Sequence, residues 1–111
     1  MARTHPRVET SFYLNKVVDG VPYLVRATDL SCGGVYLQKL LEPRALEGSR
    51  FAIEFALPNS QDVLWADVEP VWDNESRGVG LRFLSLTPRV ARLIEEFVMG
   101  RARIAGRENF A

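Results

Sequence analysis

Residues 8–83 alternate apolar and polar side chains in short runs, broken by turn residues at intervals of roughly 10, the spacing of an antiparallel sandwich or barrel. Val8, Thr10, Phe12 and Leu14 share one face of a first strand, and Asp19-Gly20 then supplies a dipeptide suited to the positive φ angles of a tight hairpin. A second strand is expected over residues 21–28, followed by a corner within the stretch ATDLSCGGVYLQ. In a third strand Val35, Leu37 and Lys39 alternate with Tyr36, Gln38 and Leu40, and the run ends near Pro43. The fourth has the cleanest half-buried alternation, with Phe51, Ile53, Phe55 and Leu57 opposed to Arg50, Ala52, Glu54 and Ala56.

In the fifth strand Leu64, Ala66, Val68 and Trp72 are assigned to the core face, while Trp65, Asp67 and Glu69 point away. Pro70 lacks an N–H and marks an edge position or a bulge. After the polar turn DNESRG, Val79, Leu81 and Phe83 form the inward face of a sixth strand. The period then changes to helical, through Val90, Leu93, Ile94, Phe97 and Val98, with Thr87 as N-cap, Pro88 at the first helical position and Gly100 as the stop. The fold class these patterns imply is mainly β: a six-stranded antiparallel barrel, with a C-terminal helix laying its apolar stripe across it.

Composition narrows the function. The 111 residues suit one domain, and Lys plus Arg equals Asp plus Glu at 14 each, so no bulk positive field favours a nucleic acid polymer. A single-stranded nucleic-acid barrel, which would interleave aromatic and basic residues on one face, is disfavoured on the same ground. One cysteine and one histidine exclude an internal disulfide and argue against a metal site held by protein ligands alone. With no apolar leader and no run long enough to span a bilayer, a cytoplasmic chain without membrane insertion is expected.

Few residues offer catalysis. His5 sits in a proline-flanked terminal segment, no nucleophile–base pair stands out, and the chain is not read as an enzyme. Cys32 stands in a turn whose neighbouring arginines would lower a thiol pKa, although a small side chain filling a turn is the plainer reading. LSCGG lacks the third glycine of a dinucleotide fingerprint and precedes a strand.

Two stretches remain, RTHPR before the first strand and DLSCGG after the second. Arg3 and Arg7 are planar forks able to donate to the O6 and N7 acceptors of guanine, stack on a base or grip a phosphate. Asp29 accepts from the opposite, donor-bearing edge of guanine, and Ser31 offers a hydroxyl to base or phosphate. Gly33 and Gly34 let the backbone turn and approach a ligand. Against this, an Asp-x-Ser turn often bonds only its own backbone.

Taken in order, Arg3-x-x-x-Arg7 and Asp29-x-Ser31-x-x-Gly34 resemble the signature of the PilZ domain family, as do VEPVW and GVGLRFLSLTP, over roughly residues 3–99. The resemblance implies a bacterial receptor for cyclic di-GMP, with no cofactor, in which Arg3, Arg7, Asp29, Ser31, Gly33 and Gly34 hold the ligand. It further implies a flexible arm at residues 1–7 that orders on binding and a barrel with its helix over 8–99, while composition reads residues 100–111 as a polar tail. The output would be contact with an effector protein in motility, pilus or exopolysaccharide control. The alternative is an adaptor independent of nucleotide, docking through the Trp65 face or the arginine-bearing tail.

Overall fold

The computed structural model describes residues 6–38, 51–74 and 78–109. Six strands, β1 (Arg7–Val18), β2 (Val21–Ser31), β3 (Gly34–Gln38), β4 (Phe51–Phe55), β5 (Leu64–Asn74) and β6 (Gly78–Ser85), precede one helix, α1 (Pro88–Asn109). The strands close into a barrel in the order β1-β2-β3-β6-β5-β4, every pair antiparallel, with β4 returning to β1 where Glu54 faces Asn15. The expected fold class is the observed one.

Alternation builds the core as the sequence implies. Leu14, Val25, Leu37, Ile53, Leu64, Val68 and Leu81 point inward and are buried, each side chain contributing about 1.5–3 kcal/mol by leaving water. Lys16 also faces inward, its ammonium 4.6 Å from the centroid of the Phe51 ring. Asp19 and Gly20 take φ values of 51° and 77°, the left-handed pair a two-residue hairpin between β1 and β2 requires.

The helix begins where predicted. Thr87 Oγ1 accepts the Val90 N–H at 3.3 Å, and Arg89 pairs with Asp62 at 3.1 Å, tying the first turn to the β4–β5 connection. Val90, Ile94, Phe97 and Val98 bury the apolar stripe, and the helix lies against β1 and β2. It does not stop at Gly100 but runs through to Asn109. Gly100 has no left-handed φ, a glycine inside a helix costs only about 1 kcal/mol, and the Arg101 guanidinium lies 5.0 Å over the Phe97 ring one turn back.

Two further expectations are corrected by irregular pairing. Pro70 faces Leu81 and Trp72 faces the next residue, Gly80, so Val71 is the extra residue of a bulge. Pro70 thus marks a bulge, in a barrel that has no edge. The bulge reverses the phase of β5, and Trp72, assigned to the core by simple alternation, is 58% exposed on the outer face. The second correction is that β2 continues past residue 28 to Ser31, leaving only Cys32 and Gly33 as the turn.

Candidate functional site

The irregularity of β2 sets the site. Ala27 faces Leu37 and Asp29 faces Tyr36, so Thr28 is an extra residue relative to β3. Ala27 and Leu30 are both buried, three positions apart, and the bulge between them turns Asp29 to the outside where strict alternation would send it inward. Asp29 therefore lies on a strand beside the turn, not within the turn itself.

Ser31 organises the turn between β2 and β3. Its Oγ accepts the N–H groups of Gly33 and Gly34, both at 3.2 Å, and donates to the Gly34 carbonyl at 3.4 Å. One donor and both lone pairs of the hydroxyl are then engaged with the backbone of its own corner. Gly34 pairs with Arg82, and a Cβ there would strike the Leu81 carbonyl oxygen, so glycine is demanded by the closeness of β3 and β6. The Gly33 carbonyl accepts the Phe83 N–H at 3.0 Å, which fastens the turn to β6.

Along this corner runs an open groove of about 370 Å³, with Gly34 and Gly80 among its lining and Arg7, Asp29 and Arg82 among its charged groups. Arg7, at the start of β1, lies opposite Ser31, and its Nε is 3.7 Å from Asp29 Oδ1. One wall is aromatic: the Tyr36 and Trp72 rings are 5.6 Å apart, tilted by 38°. Gly80 lies beneath that wall, where an added Cβ would meet Trp72 Cβ at an ordinary contact distance of 3.5 Å. Arg82 is ion-paired to Glu69, the residue opposite it on β5. The groove thus combines guanidinium forks, an acceptor carboxylate and a flat π surface, a set suited to a planar base joined to an anionic phosphate.

Of the candidate residues, Arg7, Asp29, Ser31, Gly33 and Gly34 all line this groove, and Arg3 lies outside the described residues. Sequence reasoning missed Tyr36, Val71, Trp72, Gly80 and Arg82. Alternation between inward Leu81 and its neighbours was a signal for an outward Arg82. No comparable signal existed for Trp72, because the bulge at Val71 hides its phase. Cys32 fits the plainer reading of a side chain filling the turn: burial first, and then the nearby Glu95 carboxylate, push its thiol pKa up. Among the described residues no cluster of His, Cys, Asp and Glu suits a metal, and no helix is long and apolar enough to cross a membrane.

A family model, the PilZ domain, matches residues 2–100. The chain belongs to the PilZ domain family. Its barrel is similar to that of the PilZ domain with c-di-GMP of YcgR from Escherichia coli, with TM-score 0.71 and 23% identity over 98% of each chain. It is also similar to the Bacillus subtilis inhibitor of motility MotI (DgrA), with TM-score 0.74 and 12% identity. That match covers 92% of this PilZ chain and 52% of MotI, so the present chain spans about half of that protein. At these identities the likeness is one of fold. No curated protein matches the PilZ chain in sequence.

Proposed function

We propose that this PilZ domain is a non-enzymatic receptor for cyclic di-GMP that signals by contact with an effector protein. The observation that carries the reading is the meeting of Arg7, Asp29 and the Tyr36–Trp72 wall at one groove, from four different strands. Arg7 donates to guanine O6 and N7 or to a phosphate oxygen, and Asp29 accepts from the N–H groups on the other edge of the base. Trp72 offers a stacking face worth about 1–3 kcal/mol per base. The Arg7–Asp29 pair is half-exposed and long, so parting it for the ligand costs at most about 1 kcal/mol. Ser31 and Gly34 act beneath the ligand, by fixing the shape of the corner. In the same reading Arg3, which precedes β1 in the sequence, supplies a second guanidinium to the dinucleotide, and binding through it alters the surface shown to the effector.

Calorimetric titration with cyclic di-GMP, run beside GMP and cyclic di-AMP, tests this. Saturable binding selective for the guanine dinucleotide, lost or weakened in Arg7→Ala and Asp29→Ala proteins that melt like the parent, is the expected result. Absence of binding would refute the receptor and favour a nucleotide-independent adaptor, for which half-exposed Trp65 on the outer face of β5 is the first surface to alter.

A further inference from the structure

Arg82 stands between two neighbours. In the barrel register it faces Gly34, the end of the corner, on β3 and Glu69 on β5. Leu81 beside it is buried, Arg82 points outward with a side chain 61% exposed, and it lines the groove, whereas Glu69 is not among the lining residues. Its Nη2 donates to Glu69 Oε1. A guanidinium has five N–H donors in a rigid fork, and this bond to Glu69 uses one. Both arginines described in the groove are therefore held by carboxylates of the chain itself, Arg7 by Asp29 and Arg82 by Glu69.

We propose that Arg82 is a ligand-gripping guanidinium of the groove, and that Glu69, its partner across the strand pair, is a built-in competitor that sets the affinity for the dinucleotide. The inference rests on the cyclic di-GMP reading and assigns what that reading leaves open: which group meets the anion on the β6 side. An exposed cross-strand ion pair is weak, while a guanidinium gripping a phosphate makes charge-assisted bonds. The fork therefore swings from Glu69 toward the ligand, or shares itself between them. Glu69, lying off the groove, is released to solvent.

The test is titration with cyclic di-GMP of the parent protein, Arg82→Ala, Arg82→Lys, Glu69→Gln and the double variant. Arg82→Ala should weaken binding by roughly tenfold to a hundredfold, the span of a lost charge-assisted contact, with Arg82→Lys between it and the parent. Glu69→Gln should tighten binding by up to about fivefold, the equivalent of an exposed ion pair removed. In the Arg82→Ala background Glu69→Gln should give no gain, because the competitor then has nothing to hold. Thermal melts check that each variant folds. Equal affinity of Arg82→Ala and parent would overturn the inference, and so would a Glu69→Gln gain that persists without Arg82, which would mark general charge repulsion. If the parent binds and Asp29→Ala does not, unchanged Arg82 variants sink this inference alone; if the parent fails to bind, the receptor reading falls and this inference with it.

Discussion

Replacing Gly34 with alanine separates two reasons for a glycine at this corner. If it serves strand packing, the added methyl acts on the fold; if it serves only ligand approach, the methyl acts on binding. A Cβ built on Gly34 lands on the Leu81 carbonyl oxygen, with the Leu81 carbonyl carbon at 3.1 Å and Arg82 Cα at 3.4 Å. All of these are backbone atoms, so no rotamer change relieves the clash, and β3 and β6 must part where Gly34 faces Arg82 and Val35 faces Leu81. Overpacking of this kind costs about 1–3 kcal/mol, and a weakened ladder bond adds about 1 kcal/mol. The expected loss is therefore about 2–4 kcal/mol, which lowers Tm by roughly 10 °C or more in a domain of this size. Circular dichroism melts and urea midpoints measure it, with Gly80→Ala as the control. There the nearest contact is an ordinary 3.5 Å to Trp72 Cβ, and stability should stay within about 1 kcal/mol of the parent. A Gly34→Ala protein that melts like the parent but loses its ligand would refute the packing argument.

Gly100→Ala should raise stability by about 0.5–1 kcal/mol, read as an upward shift in the urea midpoint, because the helix continues through a position with open space around it; no gain would place the end of the helix at Gly100 after all. Ser31→Ala should cost about 1–2 kcal/mol in urea denaturation by stranding the N–H groups of Gly33 and Gly34, whereas unchanged stability with weakened nucleotide binding would make the hydroxyl a ligand contact. The rate of Cys32 alkylation should rise with pH along a curve whose midpoint lies above that of an ordinary thiol, and Glu95→Gln should move the midpoint down without abolishing the shift, since burial is the larger cause. A midpoint below the ordinary thiol value would contradict that placement of the cysteine.

The sequence made legible whatever depends on neighbours along the chain. Alternation placed Leu64, Ala66 and Val68 inside, Asp19-Gly20 fixed the first hairpin, and Thr87-Pro88 fixed the start of the helix. Features that depend on a partner strand were not legible. A bulge is a mismatch between two strands, so the one at Val71 could be suspected from Pro70 but its effect on Trp72 could not be counted from β5 alone. The same holds for Thr28, which aims Asp29 at the groove. Ser31 and Gly34 were picked out as ligand-binding residues of the corner and both line the groove; that their atoms also hold the backbone of that corner is visible only with the Leu81 carbonyl and the two glycine N–H groups in place. Gly100 was read as a stop because glycine favours helix ends, yet the helix runs on through it, with Arg101 over the Phe97 ring and Ala102 packed against the core.

The two tryptophans provide an internal comparison for the central claim. Trp72 lines the groove beside Tyr36, while Trp65 projects from β5 opposite Glu54, outside it. Proton–nitrogen NMR spectra of the uniformly labelled protein resolve one indole signal from each. On titration with cyclic di-GMP the Trp72 indole, together with the amides of Asp29, Gly33, Gly34 and Arg82, should shift and saturate while the Trp65 indole stays in place. A shift confined to Trp65, or no shift at either ring at millimolar ligand, would contradict a nucleotide bound in this groove.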